Sequence, residues 1–325
     1  MGGVWAGYPI FAPSQLKEIN FDKIIILSEK YYEDIYETLV YWFHVDPDKI
    51  QKRTYWLKLL FMDKYRDTDD NDIKNILKYW KDHELSVFNQ YVEMGKEIRE
   101  VYWDNIENMP YIMFEDKKMY YPYDYQFTEV EGRKVLIDLM SEQQPSSPHL
   151  YITDNIKVEH GDVVADAGVC EGNFALRYVE KASKMYLFES DPKWIKPLKK
   201  TFEKFKSKVI ICEGLLGRGD VTGIEAVEKY VSLDTVVKGR LDFLKMDIEG
   251  AEVEALIGGR RTLMNNDVKC AICSYHRMRD EFAISDLLKS YGYKTSHSDG
   301  YMVLHWDWDV WLNLEFRRGI VYGTR

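Results

Sequence analysis

Four cysteines in 325 residues are too few for a disulfide framework. Two of them, Cys270 and Cys273, have C-x-x-C spacing inside the apolar run Val268 to Tyr275, with no second ligand pair nearby. A structural zinc site wants four ligands, so these read as buried strand thiols. No apolar run approaches the roughly 20 residues of a membrane span. The N-terminus shows no basic segment followed by an apolar core. Neither a transmembrane segment nor a signal peptide is therefore expected, and the cytoplasm is the default location. Basic residues are short too: 44 Lys and Arg stand against 54 Asp and Glu, a net charge of −10. Such a surface does not displace counterions from phosphates, which argues against a nucleic-acid partner. A chain of this length that is 46% hydrophobic can bury a core and should hold about two domains.

A further shortage separates two cofactor classes. Gly161-Asp-Val-Val-Ala-Asp166-Ala-Gly168-Val-Cys-Glu-Gly172 reads as a buried strand that ends in an acid, then a glycine turn opening a helix. Gly168 and Gly172 permit positive φ and close backbone approach, as a nucleotide-like ligand requires. Yet the spacing is D-x-G-x-x-x-G and lacks the third glycine of the dinucleotide fingerprint G-x-G-x-x-G. Asp166 and Glu171 would repel a pyrophosphate, whereas a carboxylate can accept from the ammonium group of an amino-acid-bearing cofactor such as S-adenosylmethionine. A second strand, Met185 to Phe188, ends in Glu189, where an adenosine ribose would present its hydroxyls. Asp166, Gly168, Gly172 and Glu189 are thus cofactor-binding candidates, with Glu213 at the end of the next strand.

The organisation divides into four stretches. Residues 1–50 hold one strand, Lys23 to Leu27, and a helical pattern from Tyr31 to Phe43, half of an α/β unit without a phosphate loop. Residues 51–100 are mostly helical, with Trp56, Leu57, Leu60 and Phe61, then Ile73, Ile76, Leu77 and Trp80, at helical spacing. Residues 101–150 switch to short tyrosine-rich strands and a connector, Ser141 to Tyr151, that carries His149. From 151 to 325 the alternation is regular. Strands at 163–166, 185–189, 208–212, 242–246 and 269–274 are separated by helical patterns at 172–181, 192–206, 221–230, 251–264 and 280–290. Such repeats make a parallel sheet covered on both faces. A final strand pair is expected at Gly300 to His305 and Phe316 to Tyr322, giving the seven-stranded, mostly parallel sheet of a class I Rossmann-like fold.

The fourth strand should end near Met246 and deliver Asp247 to the carboxyl edge, where open α/β sheets bind ligands. The neighbouring fifth strand delivers His276 to the same edge. Asp247 and His276 are the catalytic candidates, and Asp247 is also a cofactor candidate. A hydroxyl too weakly acidic to ionise unaided needs a nearby carboxylate or imidazole to take its proton, worth about 10²–10⁴ in rate. Glu249, His149 and Arg317 are substrate-binding candidates. Glu252 reads as a helix-start acid stabilised by the dipole. Asp247, Glu249, His276 and Asp280 could also hold a divalent metal, although their spacing is not a metal signature.

With both constellations in place, the chain from about Ser147 resembles the FkbM family of S-adenosylmethionine-dependent methyltransferases. The resemblance rests on Val163 to Gly168, Leu187-Phe-Glu189-Ser-Asp191, Ser232-Leu-Asp234, Leu244-Lys-Met-Asp-Ile-Glu-Gly-Ala-Glu252, Tyr275-His276 and Phe316 to Val321. The K-x-D-x-E-G-A-E string is the specific part. Members typically follow the first glycine with Ala-Asn and an apolar residue, where this chain has Val169-Cys170-Glu171. The resemblance implies O-methylation, usually of a sugar or polyketide hydroxyl, with S-adenosyl-L-methionine as cofactor and a small-molecule or carbohydrate acceptor. A catalytically inactive cofactor-binding scaffold and an NAD-dependent sugar-nucleotide oxidoreductase are the competing readings.

Overall fold

The computed structural model describes residues 3–5, 8–93, 97–130, 134–136, 138–219 and 230–325. It divides into two compact units, 1–87 with 304–314, and 88–303 with 315–325. The expected boundaries at 50, 100 and 150 mark changes of periodicity, whereas the two units meet at 87–88, and periodicity gives no sign that residues 304–314 return to the first.

In the first unit, β1 (Ile24–Ile26) runs parallel to β2 (Ile50–Lys52). The crossover between them is α1 (Tyr32–Glu37), continued by a π-helical turn over Thr38–Trp42. Ile26, Val45 and Ile50 form its small core. The helices α2 (Arg53–Lys64) and α3 (Asn71–Tyr79) follow, α3 capped by the Asp70 side chain. The helical pattern expected over 51–100 thus ends at Tyr79, followed among the described residues of that stretch by a 3-10 turn at Asn89–Tyr91 and the start of a strand at Ile98. The returning segment is held by α2 and its end: Lys64 Nζ donates to the Asn313 carbonyl at 2.6 Å, and Tyr65 Oη to that of Leu314 at 2.9 Å.

The second unit begins with an antiparallel sheet of β3 (Ile98–Asp104), β4 (Met109–Phe114), β5 (Lys117–Tyr120), β6 (Thr128–Val130) and β7 (Lys134–Leu136), ordered β5-β4-β3-β7-β6. Glu115, at φ 55°, makes the turn between β4 and β5.

The main sheet holds β8 (Val163–Ala167), β9 (Lys184–Glu189), β10 (Val209–Glu213), β11 (Phe243–Met246), β12 (Lys269–Cys273), β13 (Lys294–His297) and β14 (Ile320–Thr324). Their order is β10-β9-β8-β11-β12-β14-β13, parallel except for β14, which is antiparallel to both neighbours. Alternation sorts the residues of β8 between two cores. Val164 joins one and Ala165 and Ala167 the other, each covered by helices.

Among the described residues, the longer helices of this unit are α4 (Asn173–Tyr178), α5 (Pro192–Thr201), α6 (Glu252–Gly258), α7 (Arg260–Asn265) and α8 (Asp280–Ser290), beside single turns at Asp138–Ser141 and Leu233–Val236. The pattern expected over 251–264 is two helices, broken at Gly259, where a Cβ would stand 2.6 Å from Leu233. Of the helix expected at 221–230, residues 221–229 lie outside the described residues, and Tyr230 instead begins a short strand, Tyr230–Val231, parallel to Leu215–Leu216. The late strand pair is displaced from the expected one. β13 precedes the Ser298-Asp299-Gly300 bend, and 300–305 contributes only a lone bridge, Met302 to Arg317. Among the described residues no helix is long and apolar enough to cross a membrane.

Candidate active site

The chain leaves β8 in one direction to β9 and in the other to β11, so the sheet order reverses at β8 and opens a crevice at the strand ends. A cavity of about 360 Å³ lies there, lined by Gly168, Cys170, Phe188 to Asp191, Trp194, Gly214 to Leu216, Asp247 to Glu249 and Ala251. Among the described lining residues, Glu189, Asp191, Asp247 and Glu249 are acids and none is basic.

The glycine turn is bolted to β11. Gly168 sits at φ 75°, and a Cβ there would stand 1.6 Å from the Asp247 carbonyl oxygen, so no larger residue fits. Asp247 N donates to the Ala167 carbonyl at 2.9 Å, extending the β8–β11 ladder by one residue. Beneath the turn, Lys245 Nζ donates to the Gly168 carbonyl at 2.6 Å and lies 3.2 Å from Asp166 Oδ1. Both side chains are buried. Asp166 therefore holds the cation that braces the loop and is not among the residues lining the cavity.

Glu189 does line it, at the tip of β9. Its Oε2 accepts from Cys170 N at 2.9 Å and its Oε1 from Asp191 N at 2.8 Å, which fixes the carboxylate against the turn. Gly172, at φ 86°, starts α4 against Leu198 and Phe202 and serves packing. The Glu213 carboxylate is on Lys199, 2.7 Å away, and its neighbour Gly214 is the one that reaches the cavity. Glu171 is buried and neither oxygen finds an aligned hydrogen bond. Burial pushes its carboxyl up to about 7.

Asp247 is the centre of a chain of ionisable groups. Its Oδ2 accepts from Tyr151 Oη at 2.7 Å and lies 3.5 Å from His149 Nε2. Its Oδ1 accepts from Tyr275 Oη at 3.1 Å and lies 3.3 Å from His276 Nε2. Each imidazole is backed by a glutamate: His149 Nδ1 is 3.1 Å from Glu142, and His276 Nδ1 is 3.0 Å from Glu252. Burial opposes the charged imidazoles, but the flanking carboxylates outweigh it and push His149 up to about 9 and His276 up to about 10. Burial likewise opposes ionisation of Asp247, yet the two imidazoles hold it well below the usual carboxylate range.

The expected juxtaposition of Asp247 and His276 is present, and Glu249, 92% exposed, lies 3.6 Å from His276 Nε2 at the rim. His149 stands on the buried side of Asp247. Arg317 is buried and donates to the carbonyls of Tyr275 and His276 at 2.9 and 3.2 Å, steadying the strand end. Asp280 accepts from Arg277 N at 2.9 Å at the start of α8. Two groups of side chains have atoms close enough to share a cation: His149 with Asp247 and Cys273, and Asp247 with Glu252 and His276. Glu142, Tyr151, Lys245 and Tyr275 escaped the sequence reading, and Glu252 proves to brace His276 as well as accept from Ile248 N at 2.9 Å.

A seven-stranded sheet in this order, with its last strand antiparallel and a glycine-turn cavity at the reversal point, is the Rossmann-like fold of class I methyltransferases. Residues 213–295 match the methyltransferase FkbM domain. No curated protein matches the chain. Among solved structures, methyltransferase FkbM from Methylobacillus flagellatus KT is 19% identical, with a TM-score of 0.44 over 55% of this chain and 47% of that one. The match thus spans less than half of the Methylobacillus protein. SMU.1697c, a putative methyltransferase from Streptococcus mutans in complex with SAH, is 14% identical, with a TM-score of 0.33 over 51% of this chain and 90% of that one. A methyltransferase from Pyrococcus furiosus is 14% identical, with a TM-score of 0.36 over 60% and 87%.

Proposed function

We propose that this chain is an S-adenosylmethionine-dependent O-methyltransferase that acts on a hydroxyl of a sugar or glycoconjugate precursor. The observation that carries the reading is Asp247, which lines the cavity at the end of β11 and is joined there by His276 from β12. Three features of the cavity suit the cofactor. Its volume falls in the range of about 300–1,000 Å³ usual for small-molecule pockets, and Glu189 in its lining offers a carboxylate to a ribose hydroxyl. Its acidic lining favours a cation and disfavours the pyrophosphate of NAD. S-adenosylmethionine, when bound, supplies an electrophilic methyl on a cationic sulfur.

The protein's own part is orientation and proton transfer. Asp247, kept ionised by donors on both oxygens, accepts a hydrogen bond from the acceptor hydroxyl and aligns it. His276 takes the proton in its neutral form. A cationic ligand in the adjoining cavity opposes the imidazolium and promotes that form. Glu252 on Nδ1 keeps Nε2 directed at Asp247 and Glu249.

The test is incubation with labelled S-adenosylmethionine and a panel of sugars and sugar nucleotides, read by mass. A methyl group on oxygen is expected, with the rate falling about 10²–10⁴-fold in Asp247→Asn. A methyl group on nitrogen or carbon, or full turnover by Asp247→Asn, contradicts the assignment.

A further inference from the structure

The residue after His276 is an arginine whose charge acts on Asp280 only at a distance. Arg277 is exposed, and its side chain takes part in no hydrogen bond or salt bridge among the described residues. That is unexpected where acids crowd, with Glu249, Glu252 and Asp280 close in sequence or space and a chain charge of −10. Its place is nevertheless fixed. The backbone before it is held by Arg317 through the carbonyls of Tyr275 and His276, and its own N–H is tied to Asp280.

Gly250 makes room for it. This glycine sits at φ 90°, and a Cβ there would stand 2.7 Å from Arg277 Nε and 3.3 Å from its Cζ. The Arg277 side chain therefore passes over Gly250, in the Glu249–Gly250–Ala251 turn whose outer members line the cavity beside Asp247. A planar guanidinium with free donors, one residue from His276, is a recognition element for a carboxylate or phosphate.

We propose that Arg277 selects the acceptor, and that the acceptor carries an anionic group, phosphate or carboxylate, next to the hydroxyl presented to Asp247 and His276. Glu249, exposed beside it, is then free to accept from the neutral hydroxyls of the same molecule. This rests on the methyl-transfer reading and narrows its substrate class.

The experiment is calorimetric titration of the full chain, saturated with S-adenosylhomocysteine, with glucose 1-phosphate, glucuronate and glucose. At least one anionic sugar should bind about 10–100-fold more tightly than glucose, the factor expected of one charged hydrogen-bonding contact. That advantage should disappear in Arg277→Gln, survive in part in Arg277→Lys and shrink as salt is raised. The phosphate and carboxylate arms decide between the two anions. Equal binding of glucose, no binding by either anionic sugar, or an undiminished advantage in Arg277→Gln overturns the inference. Failure of S-adenosylhomocysteine itself to bind would instead sink the methyl-transfer reading beneath it.

Discussion

Replacing Lys245 by methionine removes a buried cation beneath the glycine turn that reaches Asp166, Ala167 and Gly168 together. Lys245 is 4% exposed and Asp166 1% exposed, and their charged atoms are 3.2 Å apart. Methionine keeps an unbranched stem only one atom shorter, so the cost is mainly electrostatic. A buried carboxylate is left without its counter-ion and the Gly168 carbonyl without its 2.6 Å donor. Breaking a buried pair in this way costs about 3–5 kcal/mol. Removing both charges, as Lys245→Met with Asp166→Asn, should recover much of that loss. The coupling energy should then lie toward the upper end of the roughly 0.5–3 kcal/mol seen for residues in contact. Urea unfolding of the full chain, read by circular dichroism, measures both quantities. The transition that moves should be that of the unit containing the main sheet. A Lys245→Met protein as stable as the parent would refute the reasoning, as would a double variant no more stable than the single one.

Three further outcomes follow from the same electrostatics. His149 and His276, raised to about 9 and about 10 against an ordinary 6.5, contribute stability that is complete below pH 6.5 and lost as pH climbs through those values. The urea midpoint should therefore fall between pH 7 and 10, and a rise over that range would contradict the network. Glu171, pushed up to about 7 by burial, carries the opposite lesson: its carboxylate costs stability once pH exceeds its unfolded value. Glu171→Gln should stabilise the protein by about 1–3 kcal/mol at pH 8 and by much less at pH 5, and no gain at pH 8 would mean that the group finds a partner. Gly168→Ala should abolish S-adenosylhomocysteine binding in the same calorimeter, since its Cβ would meet the Asp247 carbonyl at 1.6 Å. Retained affinity would place the cofactor elsewhere.

The doubly wound part of the fold was legible because buried parallel strands write themselves as apolar runs. Val163 to Ala167, Lys184 to Glu189 and Phe243 to Met246 each end in, or just before, a residue that faces the cavity. The late strand pair was misplaced for the same reason. Lys294-Thr-Ser-His297 is polar because it is an edge strand with little to bury, whereas Met302 and Val303 are buried outside the sheet, beyond the turn at Gly300.

At the site, Asp247 and His276 could be paired from strand order alone. Glu142, His149 and Tyr151 could not be placed, because a connector has no period from which its direction can be read. Lys245 was hidden by its type. A lysine inside a strand suggests an exposed position, and only the buried Asp166 on the adjoining strand makes it an interior brace.

On the proposed reading, the crevice at the ends of β8, β9 and β11 holds S-adenosylmethionine. The most direct measurement is calorimetric titration of the parent protein and of Glu189→Ala with S-adenosylmethionine, S-adenosylhomocysteine and NAD. Both adenosyl ligands should bind the parent with one site per chain, NAD should not, and Glu189→Ala should weaken both by about tenfold or more, the worth of a charged hydrogen bond to a ribose hydroxyl. Binding of NAD alone, or adenosyl-ligand affinity indifferent to Glu189, would contradict the account.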